Sequence, residues 1–187
     1  GKTTTIKMIT GLLFADSGQA SWKNADTNLA QTKTKLGFMG EQPQFYRHLT
    51  AEEVLTYTGE LFGLLPQTIT KQIPVLLKKV GLADSAKTPV KNFSKGMNQR
   101  LALATALINN PELLILDEPL DGLDPIGRNE FKKIILEQKK LGKTIFLSSH
   151  ILSDIDEICD QIGVINKGKL VFVGTPKQLK KTRKSLE

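Results

Sequence analysis

Apolar residues fall at helical spacing at the start of the chain. In residues 3–13, Ile6, Ile9, Leu12 and Leu13 share one face, which predicts a helix, and Gly11 weakens its last turns. Asp16-Ser17-Gly18 is a turn signal, and residues 19–22 and 35–39 have strand character. Thr50-Ala51-Glu52-Glu53 is a capping box, with Thr50 as N-cap and Glu53 reaching back. It opens an amphipathic helix through Val54, Leu55, Leu61 and Phe62 that closes near Gly63. A second helical stretch runs to about Val80 and stops at Gly81; Pro74 inside it predicts a kink or a late start. Ser94 can cap a third helix over residues 97–108, stopped by Asn109-Asn110-Pro111.

Beyond that point the pattern changes. Residues 113–116 are apolar at every position, as a buried parallel strand requires. A helix over 127–141, a strand over 144–147 and a helix over 152–160 come next. Strands 162–165 and 170–173 flank a Lys167-Gly168 turn and predict a hairpin. The order is α/β at both ends and helical in the middle. The predicted fold class is therefore α/β, with a mostly parallel sheet in a core of residues 1–49 and 111–187 and residues 50–110 inserted as a helical subdomain.

Composition leaves this picture intact. The 187 residues are 40% hydrophobic and 24% charged, enough for a sizeable core in one globular domain. A single cysteine, Cys159, excludes an intrachain disulfide and a cysteine-rich zinc site. No apolar run approaches the roughly 18 residues of a membrane-spanning helix, and no signal peptide is expected. The net charge is +7, part of it in a tail where Lys177, Lys180, Lys181, Arg183 and Lys184 face only Glu187. That tail is either an anion-contacting segment or a solvated helix end.

Three segments carry chemistry. Gly1-Lys2-Thr3-Thr4 has the form of the back half of a phosphate-binding loop, G-x-x-x-x-G-K-[ST]. In such a loop backbone N–H groups and a helix N-terminus cradle phosphates, the Lys reaches the terminal ones, and the hydroxyl ligates Mg²⁺. Gly-Lys-Thr recurs at residues 142–144, so the tripeptide alone is not decisive. The apolar run 113–116 ends in Asp117-Glu118-Pro119. Ligands bind beyond the carboxyl ends of parallel strands, so Asp117 is placed to hold Mg²⁺ and Glu118 to polarise an attacking water. The plain alternative is a strand end followed by a turn. Ser94-Lys95-Gly96 sits at a predicted helix N-terminus, either an anion site or an ordinary cap.

Taken together, these segments resemble the nucleotide-binding domain of an ATP-binding cassette (ABC) protein, over essentially the whole chain. Gly1-Lys2-Thr3-Thr4 is similar to the end of Walker A, and Glu41-Gln42 falls at the Q-loop. Phe93-Ser94-Lys95-Gly96-Met97 resembles the signature, and residues 113–118 resemble Walker B with its catalytic glutamate. Asp121-Gly122-Leu123-Asp124 resembles the D-loop, and His150 the switch histidine. The resemblance implies a P-loop NTPase core that binds ATP and Mg²⁺ and hydrolyses ATP.

It also implies roles. Gly1, Lys2 and Thr4 would contact phosphates, and Thr3, Asp117 and Gln42 would serve the metal. Glu118 and His150 would be catalytic. Either Glu41 or Gln42 would act as the Q-loop residue. A second such domain would stack head to tail, so that Ser94, Gly96 and Asp124 meet the partner's nucleotide site. An integral membrane permease would be driven through the helical subdomain, holding the chain at the cytoplasmic face of the membrane; no nucleic acid is expected.

Three departures stand out. Lys95 replaces a signature glycine and Met97 a glutamine, a form similar to bacterial ABC-2-type exporter subunits. The front of the P-loop and its preceding strand fall before Gly1, so the 187 residues alone are expected to bind ATP weakly or not at all. The alternative from another class is a soluble ABC-type ATPase acting on ribosomes or nucleic acid.

Overall fold

The computed structural model describes residues 1–184, the last three as backbone only. Of the basic tail, the side chains of Arg183 and Lys184 and the whole of Glu187 lie outside the described part. The chain opens with helix α1 (Lys2–Ile9) and an antiparallel hairpin of β1 (Ser21–Trp22) and β2 (Ala25–Asp26). A one-turn helix α2 (Ala30–Lys33) leads into β3 (Leu36–Met39). Helices α3 (Ala51–Leu61), α4 (Pro66–Lys79) and α5 (Lys95–Leu107) come next, with 3₁₀ turns at Ala83–Ser85 and Val90–Asn92. Then come β4 (Leu113–Leu116), α6 (Pro125–Lys140), β5 (Thr144–Leu147) and α7 (Leu152–Ile158). The hairpin of β6 (Ile162–Asn166) and β7 (Lys169–Gly174) and helix α8 (Pro176–Lys184) complete the described part.

The sheet that matters is β3-β4-β5, parallel throughout. Strand β4 is buried at all four positions because both its faces are covered. Successive side chains point to opposite faces. Leu114 and Leu116 therefore join the large core built by α3, α4, α5 and α6, while Leu113 and Ile115 join a smaller cluster with Ile6 and Leu36. Helix α1 thus packs one face through Ile6, and the helical stretch packs the other.

Several boundaries differ from the sequence expectation. Helix α1 ends at Ile9, not at residue 13, because Gly11 turns the chain at φ +73°. The strand expected over 19–22 shrinks to Ser21–Trp22, and its hairpin partner β2 carries no periodic signal. Helix α4 starts at Pro66, well before Pro74, so the late start is not found. Proline suits the first helical position, and interior Pro74 is exposed, as is Thr70, whose carbonyl loses its usual partner there but can meet water. Both capping residues behave as read: Thr50 Oγ1 accepts from the Glu53 N–H, and Ser94 Oγ from the Met97 N–H at 3.2 Å.

Helix α5 can lie against β3 only because residue 37 has no side chain. A Cβ at Gly37 would sit 2.0 Å from the Ala106 carbonyl oxygen and 2.8 Å from a Pro111 ring carbon. Backbone cannot yield as a flexible side chain can. Gly37→Ala should therefore lower unfolding stability by about 2 kcal/mol or more, in the overpacking range, as read by chemical denaturation. An unchanged denaturation midpoint would contradict this packing.

Candidate functional site

The parallel register sets three strand ends side by side. Met39 is opposite Leu116, and Leu116 is opposite Leu147. The ladder runs one step past the strands: Asp117 N–H donates to the Met39 carbonyl at 2.8 Å, and Ser148 N–H to the Leu116 carbonyl at 2.9 Å. The chain therefore leaves the sheet at Gly40, Asp117 and Ser148 along one edge, where ligands bind in open α/β sheets.

Ser148 organises that edge. Its hydroxyl donates to Asp117 Oδ1 at 2.6 Å and accepts from the Glu118 N–H at 2.9 Å. Asp117 is 1% exposed, so its carboxylate needs such a donor. Glu118 stands at φ +48°, in the left-handed region that a non-glycine residue adopts only under constraint. Its N–H held by Ser148 and its carbonyl held by the Asp121 N–H at 3.1 Å supply that constraint.

The strained backbone aims Glu118 at an ammonium and an imidazole from distant parts of the chain. Lys2 Nζ lies 2.5 Å from Glu118 Oε1, and His150 Nδ1 lies 2.9 Å from Oε2. Burial alone would raise the Glu118 carboxyl pKa. The hydrogen bonds and charges of Lys2 and His150 outweigh it and hold the carboxyl below its ordinary 4.5. Glu118 is thus ionised at neutral pH, with its side chain 12% exposed. Just past His150, helix α7 is tied to α6 by a buried ion pair, Lys132 Nζ to Asp154 Oδ1 at 2.8 Å, which steadies the segment carrying the histidine.

The other predicted residues take these places. Gly1 is the N-cap of α1, and its carbonyl accepts from the Thr5 N–H at 3.0 Å. Thr3 is half-buried in the first turn of α1. Glu41 and Gln42 are exposed in the loop after β3, where the Glu41 carbonyl accepts from Gln99 Nε2 at 3.2 Å. Ser94 and Gly96 lie at the start of α5. Among the described residues no hydrogen bond or ion pair links them to Lys2; the link from this turn is Lys95 Nζ to Asp121 Oδ2 at 2.7 Å. Asp124 caps α6 by accepting from the Gly127 N–H at 2.9 Å. The second Gly-Lys-Thr, at 142–144, precedes strand β5 and not a helix; Lys143 Nζ instead donates to Asn110 Oδ1.

The sequence pattern gives no site role to Ser148, or to Gln99 beside the signature-like segment. A serine directly after a short apolar strand, beside Asp117-Glu118, was the available signal for the first. Gln99 is polar yet 1% exposed, and its Oε1 has no hydrogen-bond partner. The donor set around Asp117 suits Mg²⁺, which takes oxygen ligands, keeps waters and needs only one or two carboxylates. Asp117 Oδ2, beside the Ser148-bound Oδ1, is an oxygen of that kind. Among the described residues no cluster of three or more His, Cys, Asp and Glu offers an all-protein cage, and no helix is long and apolar enough to cross a membrane.

Comparison with known proteins gives the chain a family. A family profile described as "ABC transporter" matches residues 1–121. The lantibiotic transport ATP-binding protein SrtF of Streptococcus pyogenes is 43% identical over 92% of this chain and 73% of its own length. The bacitracin transport ATP-binding protein BcrA of Bacillus licheniformis is 43% identical over 100% of this chain and 61% of its own. The chain spans about half the length of two other curated relatives, 50% of an ATP-binding protein of Synechocystis sp. and 54% of one of Nostoc sp.. A solved structure described as the ATP binding subunit of an ABC transporter superposes with a TM-score of 0.87 at 31% identity, covering 98% of this chain and 78% of that one. With the profile across more than half of its residues, and with Lys2, Asp117, Glu118 and His150 gathered at one sheet edge, the chain belongs to the ABC transporter family of ATP-binding proteins.

Proposed function

We propose that this chain is the catalytic part of an ATPase that drives an export-type ABC transporter. The observation that carries the reading is the Lys2–Glu118–His150 chain of contacts, which joins three candidate motifs across 116 and 32 residues of sequence. Lys2 and Thr4 with Gly1 bind the terminal phosphates, and Thr3, Asp117 and Gln42 serve the Mg²⁺ side of the nucleotide. When bound, Mg²⁺ supplies charge neutralisation on the phosphates. Glu118, ionised and fixed by its backbone, orients a water and takes its proton. His150 holds the Glu118 carboxylate from the opposite side to Lys2.

The resting pair has a consequence. Lys2 spends its charge on Glu118, so a γ-phosphate that claims Lys2 also frees the carboxylate for a water. Binding then sets up the base, and no separate switch is needed. Ser94, Gly96 and Asp124 suit a head-to-tail pair in this reading: among the described residues no hydrogen bond or ion pair links them to Lys2, and they would complete the site of a second copy or close relative.

Residues 50–110 form the helical subdomain in this reading, and residues 1–49 and 111–187 the core. A groove of about 420 Å³ runs between the loop carrying Glu41, Gln42 and Arg47 and the segment carrying Lys91, Phe93 and Gln99. It joins the Q-loop to the helical segment, which suits docking of a membrane permease. The export direction is supported by the names of relatives, among them a fluoroquinolones export ATP-binding protein of Mycobacterium tuberculosis at 40% identity. The protein would then sit at the cytoplasmic face of the membrane through that permease.

Glu118→Gln in the full-length protein tests the reading. ATP should still bind, more tightly than to the wild type because a neutral amide releases Lys2. Turnover should fall by about 10²-fold or more, the usual size of a general-base effect, and an ATP-bound dimer should accumulate. Near-normal turnover would sink the assignment. A second expectation concerns acid stability. A carboxyl whose pKa is lowered by folding adds stability that is fully present above its ordinary 4.5 and lost as pH falls through the lowered value. Wild type should therefore lose more thermal stability than Glu118→Gln between neutral pH and roughly pH 3. Parallel losses would show that the Lys2–Glu118–His150 contacts contribute nothing to the fold.

A further inference from the structure

Lys95, which the sequence resemblance sets in place of a signature glycine, opens helix α5, and its ammonium is held by an ion pair. It crosses to the turn that comes after Glu118. Its ammonium meets Asp121 Oδ2 at 2.7 Å, and its stem lies over Gly122, where any Cβ would come within 2.5 Å of Lys95 Cε. Gly122 is at φ +72°, where a side chain would be strained and would also displace the Lys95 stem.

Gln99, four residues on and so on the same face of α5, reaches the same turn. Its Nε2 lies 3.2 Å from the Glu41 carbonyl oxygen and 3.5 Å from that of Asp121. Asp121 in turn donates its N–H to the Glu118 carbonyl at 3.1 Å. The first turn of α5 therefore grips Asp121 through both its side chain and its backbone, one hydrogen bond away from Glu118. The Asp121 carboxyl is held below the ordinary carboxylate range chiefly by its hydrogen bond from Lys95.

Resting on the reading of Ser94 and Gly96 as the surface that meets a partner's nucleotide, we propose that Lys95 is a positioning residue. Through Asp121 it fixes the Glu118 turn to the signature turn of the same subunit. The surface that closes on the partner's nucleotide and the glutamate that serves the subunit's own nucleotide then move as one piece. A glycine in that position has no side chain to make the link.

The pair is exposed, with 60% of the Lys95 side chain and 39% of the Asp121 side chain accessible. Exposed ion pairs add little to global stability, so a geometric role can be separated from a folding defect. Lys95→Met and Asp121→Asn in the full-length protein should leave the thermal midpoint nearly unchanged. Each should lower kcat about tenfold with KM for Mg–ATP within about twofold, the signature of a lost transition-state contribution and not of lost binding. The double variant should be no slower than either single one, because both cut the same link. Lys95→Arg, which still reaches Asp121, should restore kcat.

A normal kcat in Lys95→Met, or a loss in Lys95→Met that Asp121→Asn does not share, would overturn the proposal; the second result would place Lys95 directly on phosphate. Amide hydrogen exchange of the nucleotide-free protein decides the matter without any hydrolysis. Exchange at Asp121 should quicken in both single variants and return to the wild-type rate when the charges are swapped in Lys95→Asp/Asp121→Lys. Unchanged exchange in the single variants would refute the link. A wild type that binds no ATP but shows this exchange pattern would count against the proposed function alone.

Discussion

Strand β4 can bury an all-apolar face on both sides only if its backbone is satisfied by neighbours on both edges. The parallel pairing with β3 and β5 does this, and the site depends on it. Because Met39, Leu116 and Leu147 are aligned, the first polar residues after each strand emerge together. Asp117, Glu118 and Ser148 become neighbours without any long-range search by their side chains. A one-residue slip would carry Asp117 into the sheet and exchange the two faces of β4, with Leu114 and Leu116 leaving the large core.

On that edge, hydrogen bonds convert position into chemistry. Ser148 holds the buried Asp117 carboxylate and the Glu118 N–H at once. The left-handed backbone at Glu118 costs on the order of 1 kcal/mol, and its two held backbone groups offset that cost. The result is an ionised carboxylate between an ammonium and an imidazole. Its depressed pKa arises from those two partners overcoming its burial, so the same contacts that place Glu118 also set its charge state.

Much of this was legible in the sequence where one local rule dominates. The run at Leu113–Leu116 is a strand end to end, because a short continuous apolar stretch bounded by polar residues suits a buried strand, and the β-branched and aromatic Thr144–Leu147 is one too. Thr50 and Ser94 are caps as their chemistry demands. The misses have physical causes. Leu12 and Leu13 keep helical spacing past the end of α1, yet they are 59% and 44% exposed, because Gly11 had already turned the chain. The β1–β2 hairpin turns through Lys23 and Asn24 at positive φ, without a glycine to announce it, and two-residue strands have no period to detect. Ser148 and Gln99 act across strands and between loops, and no spacing along the chain encodes such contacts. The motif residues themselves were visible. That Lys2 rests on Glu118 was not, because it depends on how 116 residues fold between them.

The central claim is that Lys2 and Glu118 line one nucleotide site. A structure of the full-length protein with Mg²⁺ and a non-hydrolysable ATP analogue tests it most directly. The γ-phosphate should lie within hydrogen-bond distance of Lys2 Nζ, with the Lys2–Glu118 contact broken and the Glu118 carboxylate facing the phosphate through a water. A nucleotide bound elsewhere, with Lys2 still on Glu118, would contradict it.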